Sequence, residues 1–243
     1  TTGDLNGIGL EVILKTFSDK RIFDFCTPVL YGSSKVLSYH RKALHMDQFN
    51  FSTVHNATQA SPQKFNIINT WQEDVIIDLG KPTDPSGRYA LKSINAAVDD
   101  LKNNRLDALV TAPVHKHNIP LENFTGHTEY IANQVGASGF LMTFSGEDLR
   151  VAVVTGHVPV ARLATILTTD LIHNKIKLFH QTLVRDFGIR KPKIAVMGLN
   201  PHAGENGIIG TEDRDFIVPA INRAKESNML VFGPYGADGF FGS

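Results

Sequence analysis

An α/β fold is predicted by three features of this 243-residue sequence. Short apolar runs of strand length alternate with segments whose apolar residues recur at helical spacing, the rhythm of strand, helix and strand that builds a parallel sheet. The segment opened by Ser86 shows the helical period best, with Tyr89, Ala90, Ile94, Ala97, Val98 and Leu101 on one stripe. Three apolar runs also end in turns that carry a histidine: Leu106 to Thr111 leads to His115 and Lys116, Leu149 to Thr155 leads to Gly156 and His157, and Ile194 to Met197 leads to the Asn-Pro turn before His202. In open α/β sheets ligands bind beyond the carboxyl ends of the strands, so these imidazoles are candidates for chemistry at one edge.

Taken in order, the chain begins with a glycine-rich turn, Gly3 to Gly9, feeding a helix from Leu10 to Phe17. A strand at Pro28 to Tyr31, a helix from Ser33 to about His45, and short strands near Phe51 to Val54, Phe65 to Ile68 and Val75 to Ile77 follow. The polar stretch His55 to Lys64 is a surface loop. After the Ser86 helix comes the strand Leu106 to Thr111, then a helix from Thr128 to Val135. The runs Phe140 to Phe144 and Leu149 to Thr155 are close enough for an antiparallel hairpin. A long helix, Asp170 to Phe187, carries Ile172, Ile176, Phe179, Leu183 and Phe187 on one stripe and stops at Gly188. The strand Ile194 to Met197, a helix from Glu212 to Lys225 and a strand at Leu230 to Phe232 complete the pattern. Both ends read as cut, because the first turn lacks a preceding strand and the final residues 237–243 include Phe240 and Phe241 without a polar tail.

Composition narrows the function. Lys and Arg (24) balance Asp and Glu (24), and the basic residues are scattered, so no electrostatic footprint for nucleic acid or an anionic membrane exists. The apolar runs are too short to span a bilayer, and no basic-then-apolar leader is present. A single cysteine, Cys26, cannot form an internal disulfide, which fits a reducing cytoplasm.

The candidate site residues each have a plainer alternative. Neutral imidazoles suit a divalent metal, so His157 and His202 are candidate ligands; their separation matches no local zinc motif, and a loop histidine bonded to backbone competes. In Phe124 to Glu129, Thr125 can cap the following helix. The free amides of Gly126, His127 and Thr128, with the His127 ring and Thr128 hydroxyl, would then face an anion such as phosphate. An ordinary capped helix is the competing reading. Lys116 can neutralise a phosphate or simply be an exposed lysine, and Asp238, between Gly236 and Gly239, can hold an ammonium group or be a turn aspartate. Gly3, Gly7 and Gly9 form neither a dinucleotide fingerprint nor a P-loop. His40, His45, His55, His117, His173 and His180 receive no role.

The segments GDLNGIG, TAPVHK (Thr111 to Lys116), FTGHTE (Phe124 to Glu129), TGHVP (Thr155 to Pro159), GLNPHAGENG (Gly198 to Gly207) and GPYGADGFF (Gly233 to Phe241) together resemble the 4-hydroxythreonine-4-phosphate dehydrogenases of pyridoxal phosphate biosynthesis. The resemblance runs through nearly the whole chain in order. It implies an isocitrate/isopropylmalate dehydrogenase-like fold, with two α/β subdomains around a cleft (1–120, and 121–243 with the metal site and dimer interface) and a homodimer sharing its active site. It further implies that His127 and Thr128 touch substrate, that Asp238 lies near its amino group, and that His157 and His202 are metal ligands. The family's third metal histidine, in a later MYHDQG-like segment, and much of its NAD site have no counterpart here.

The implied reaction is NAD-dependent (or NADP-dependent) oxidation of 4-phosphooxy-L-threonine and decarboxylation to 3-amino-2-oxopropyl phosphate, assisted by a divalent ion (zinc, magnesium, cobalt, manganese or nickel). Alternatives are a related dehydrogenase of threonate or erythronate 4-phosphate, an inactive binding protein, and, last, a metal-dependent hydrolase.

Overall fold

Leu10 and Leu14 lie four residues apart in the first helix, α1 (Gly9–Thr16), and both are fully buried, which sets the inner face of the N-terminal half. The computed structural model describes residues 1–122 and 124–242; Asn123 and Ser243 lie outside the described residues. Its backbone groups into two units, Thr1–Ser138 and Gly139–Ser243. The first unit extends through α4 (His127–Gln134), whose Tyr130 hydroxyl donates to Asn95 Oδ1 at 2.6 Å.

In the first unit, β1 (Val29–Gly32), α2 (Ser34–Ala43), β2 (Ser52–Val54) and β3 (Asn66–Asn69) build a parallel sheet of order β1-β3-β2. Side chains alternate between the faces of a strand. Leu30 and Ile67 accordingly join the core with Leu10, Leu14 and Leu37, whereas Tyr31 and Ile68 turn toward Ala97. Ala97 belongs to α3 (Asp84–Lys102), on which Ala90, Ile94, Ala97 and Val98 are buried as their spacing predicts. Asn66 is a fully buried polar residue inside β3. It is tolerated because its amide donates to the carbonyls of Pro28, Ser61 and Lys64, and its Oδ1 accepts from Ser61 N.

Two expected strands form no ladder. Val75 and Ile77 pack against the core while Ile76 is 91% exposed, an alternation that lacks a partner strand; the Asp78 amide instead donates to the Asn6 side chain. Leu106 to Thr111 is likewise unpaired as a strand. The Asp4 amide donates to the Pro113 carbonyl and the Thr1 nitrogen to the Val110 carbonyl, contacts too sparse for a ladder. The idea of three strands delivering histidines to one sheet edge fails for this reason.

The second unit opens with the expected hairpin: β4 (Met142–Ser145) pairs antiparallel with β5 (Arg150–Val153). After the short α5 (Leu163–Ile166), the helix α6 (Thr169–Arg185) starts where Thr168 Oγ1 accepts from Leu171 N at 3.1 Å. It buries Ile172, Ile176 and Leu183, and Gly188, at φ 67°, follows its end. The strand β6 (Lys193–Met197) pairs in parallel with β7 (Leu230–Tyr235), and α8 (Ala237–Phe240) follows β7.

The helix expected at Glu212 to Lys225 divides into a π-helical turn, Asp213–Ile217, and α7 (Val218–Glu226). Pro219 explains the division: it donates no hydrogen bond, and its ring crowds the carbonyl four residues back, so the preceding turn widens. Ile217, Ala220, Ile221 and Ala224 then meet Ile172, Ile176 and Val231 in the core of this unit.

Candidate active site

In the first unit, the chemistry gathers at the N-terminus of α4. Thr125 does not cap this helix. Gly126 occupies the cap position and, among the described residues, no side-chain cap bonds the first amides, which suits them to a ligand. The Glu129 carboxylate Oε2 and the Lys116 ammonium each lie 3.6 Å from the point a Cβ on Gly126 would occupy, so the cradle carries a negative as well as a positive group. His127 is half-buried, and its Nε2 is buried with no hydrogen-bond partner. Burial, and then the nearby positive charges including Lys116, lower its pKa below the usual value of 6.5, so the ring is neutral at physiological pH and retains one donor and one acceptor. Thr128 is also half-buried. Open amides, an ammonium and an unpartnered imidazole nitrogen suit an anion with several acceptor oxygens.

The position of Lys116 has a structural cause. It opens a 3-10 turn, Lys116–Asn118, in which the Asn118 amide donates to the His115 carbonyl at 3.0 Å and its side chain donates to the Thr83 carbonyl at 3.2 Å. Gly87 on α3 lets this turn approach: a Cβ there would overlap the Asn118 carbonyl oxygen.

In the second unit, His202 stands in the turn after β6. Asn200 Oδ1 accepts from the amides of His202 (3.0 Å) and Gly204 (3.1 Å), and its Nδ2 donates to the Ile209 carbonyl at 2.9 Å. From Ala203 to Gly207 five successive residues have positive φ, between 42° and 98°. Such a run is sterically costly for Ala203, Glu205 and Asn206, and it folds the chain back so that Glu205 Oε1 comes 2.9 Å from His202 Nδ1.

On the opposite side of the same ring, Asp238 Oδ2 is 3.7 Å from Nε2. The two carboxylates thus flank opposite nitrogens instead of converging on one point. His202, Glu205 and Asp238 are all exposed. His157 is also exposed, in the segment after β5. Among the described residues, no group of three or more His, Cys, Asp or Glu is arranged to hold a metal ion.

Sequence reasoning selected His202 and Asp238 separately, and the fold brings them together. Glu205 and Asp213 went unnoticed. Glu205 had a local signal in its spacing of three residues from His202, whereas nothing local distinguishes Asp213. It is 4% exposed, accepts from Leu199 N at 3.2 Å through Oδ1, and has its pKa raised by burial above the usual 3.8. A separate apolar cavity of about 440 Å³, between the β4-β5 hairpin, α6 and β6, is lined by residues such as Val151, Ile176, Phe179 and Val196 and contains neither His157 nor His202.

Comparison with known proteins gives a consistent picture. A family model described as "Pyridoxal phosphate biosynthetic protein PdxA" matches residues 24–243. The 4-hydroxythreonine-4-phosphate dehydrogenase of Bacteroides thetaiotaomicron is 45% identical, aligning 100% of this chain with 67% of its own. The enzyme of the same name from Sulfurihydrogenibium sp. is 33% identical over 99% of this chain and 74% of its own. A crystal structure of a 4-hydroxythreonine-4-phosphate dehydrogenase from Burkholderia phymatum superposes with a TM-score of 0.83 at 29% identity, covering 99% of this chain and 74% of that one.

Proposed function

The chain belongs to the PdxA family of pyridoxal phosphate biosynthetic proteins, and from that premise we propose that it serves the oxidation of 4-phosphooxy-L-threonine at its 3-hydroxyl. Loss of carbon dioxide from the resulting β-keto acid gives 3-amino-2-oxopropyl phosphate, a precursor for pyridoxal phosphate. The observation that carries this reading is the anion cradle at the start of α4, where open amides meet Lys116 and the unpartnered Nε2 of His127.

The phosphate does not react, so its binding energy serves to position the carbon that does. The α4 amides, the neutral His127 ring and the Thr128 hydroxyl hold it by hydrogen bonds, and Lys116 balances its charge. The exposed carboxylate of Asp238 suits the substrate ammonium. With the Nδ1 proton of His202 donated to Glu205, the Nε2 lone pair on the Asp238 side of the ring is left for a metal ion.

A nicotinamide cofactor, NAD or NADP, supplies the hydride acceptor when bound; among the described residues no glycine-rich dinucleotide fingerprint accompanies it. His157 and His202 are candidate ligands for a divalent ion (zinc, magnesium, cobalt, manganese or nickel). Two imidazoles are fewer than the three protein ligands of a catalytic zinc centre, so these residues alone do not fit a complete metal site. The proposal extends to an isocitrate/isopropylmalate dehydrogenase-like fold, a homodimer with a shared active site and a cytoplasmic location. Cys26 is free and exposed, as suits a reducing compartment, and among the described residues no helix is long and apolar enough to cross a membrane.

The test is reduction of NAD by the full-length protein with 4-phosphooxythreonine, with and without chelator, and with threonate 4-phosphate as the competing substrate. His157→Ala or His202→Ala is expected to abolish turnover, and His127→Ala to raise KM at least about tenfold, the loss of a charge-assisted bond. Near-normal rates in either metal-ligand variant remove that residue from the reaction, and equal turnover of threonate 4-phosphate would shift the substrate assignment.

A further inference from the structure

We propose that Asp213 is a positioning residue for His202, anchoring from beneath the turn that presents the imidazole. The inference rests on the dehydrogenase reading only for its kinetic consequence; its structural content is independent of which substrate binds.

One hydrogen bond and two close-packed glycines surround this carboxylate, whose Oδ2 has no hydrogen-bond partner among the described residues. Its Oδ1 accepts the Leu199 amide at 3.2 Å, at the point where the chain leaves β6 and enters the turn. Gly198 packs against the same oxygen so closely that a Cβ would lie 2.7 Å from Asp213 Oδ1 and 2.6 Å from Ala203 Cα. Gly204, at φ 73°, faces the second oxygen: a Cβ there would lie 3.5 Å from Asp213 Oδ2 and 3.1 Å from the Gly210 carbonyl oxygen. Asp213 thus touches the turn before and after His202 while standing at the first position of the π-helical turn, which the core residue Ile217 holds in place.

The effect reaches His202 through Glu205. Glu205 follows Gly204 directly and occupies a left-handed conformation, φ 42°, that it would leave if the turn relaxed. Its carboxylate holds the Nδ1 side of the His202 ring at 2.9 Å. Removing the Asp213 carboxylate frees the Leu199 amide and takes away the group that Gly204 packs beside, which lets the left-handed run unwind and withdraws Glu205 from the ring. His202 then loses its fixed tautomer and orientation although its own residue and its immediate neighbours are unchanged. Asn200 secures the turn from within, through its bonds to the His202 and Gly204 amides and to the Ile209 carbonyl.

A merely structural role would lower stability and leave the ring unaffected. The decisive measurement is therefore the ¹⁵N spectrum of histidine-labelled full-length protein, with the His202 signals assigned by their loss in His202→Gln. In the parent the two ring nitrogens are expected to be distinct, with the proton on Nδ1. In Asp213→Ala they should move toward each other as the tautomers mix, and in Asp213→Asn, which keeps an acceptor for Leu199, they should return.

In parallel, kcat of Asp213→Ala is expected to fall about a hundredfold with KM changed less than about threefold, as for a misplaced reacting group, and Asp213→Asn should recover most of it. If Asp213→Ala does not fold, Gly204→Ala perturbs the same contact from the other side and should mix the tautomers too. An unchanged His202 nitrogen pattern in whichever variant folds overturns the proposal. A parent protein that fails to oxidise the substrate, yet shows the tautomer shift and its rescue, refutes the dehydrogenase reading and supports the role of Asp213.

Discussion

His40 shows how much one buried side chain can decide. It is 3% exposed on α2, its Nε2 lies 2.8 Å from the Leu5 carbonyl, and burial depresses its pKa below 6.5. The native state therefore keeps the ring neutral while the unfolded chain takes up a proton first. The stability from His40 is complete above its unfolded pKa and is lost as pH falls through the lower folded value. Urea midpoints are expected to drop between about pH 7.5 and about pH 5, and His40→Gln, which keeps a donor for Leu5, should flatten that slope. An equal slope in both proteins would show that other groups dominate. Tyr31 offers a second test. Its hydroxyl donates to Asp100 at 2.5 Å, and Arg105 holds the other carboxylate oxygen at 2.8 Å. Tyr31→Phe is expected to cost about 1–2 kcal/mol in urea unfolding, since Arg105 still pairs the remaining acid. His127, His202 and Asp238 stood out as candidates by residue type and motif, but the 3.7 Å approach of Asp238 to His202 did not, because 35 intervening residues had first to fold.

Elements were legible in proportion to their periodicity. The helices α3 and α6 followed from apolar stripes, because a helical face of that length has few other ways to bury itself. Leu106 to Thr111 misled because an apolar run reports a wish for burial and says nothing about whether a partner strand exists. The cap of α4 misled similarly: threonine was in place, but Gly126, one residue on, holds the cap position. Packing between elements supplies a sharper test. Gly87→Ala would drive a methyl into the Asn118 carbonyl and push the Lys116–Asn118 turn away from α3. A loss of about 1–3 kcal/mol is expected on unfolding, together with a higher KM for the phosphorylated substrate at little cost in kcat. Unchanged KM in a folded variant would show that Lys116 does not contribute to phosphate binding.

At the scale of the whole molecule there are two units: the anion cradle belongs to the first and the His202 turn to the second. Within each, a hydrophobic core sets the frame. Leu37→Ala in the first or Ile172→Ala in the second, both at positions almost wholly shielded from water, should cost about 2–5 kcal/mol. If the protein works as the proposed homodimer, sedimentation should return twice the chain mass at assay concentrations; a monomer with full activity would refute a shared site. What the sequence determined by itself was the α/β class, the long helices, the hairpin and the family, because these depend on local period and on motifs kept in order along the chain. Tertiary structure alone decided that Glu205 and Asp238 flank one imidazole, that Asp213 lies beneath it, and that Lys116 reaches the first turn of α4. Those relations are distances across folded backbone, which neither residue type nor spacing along the chain encodes.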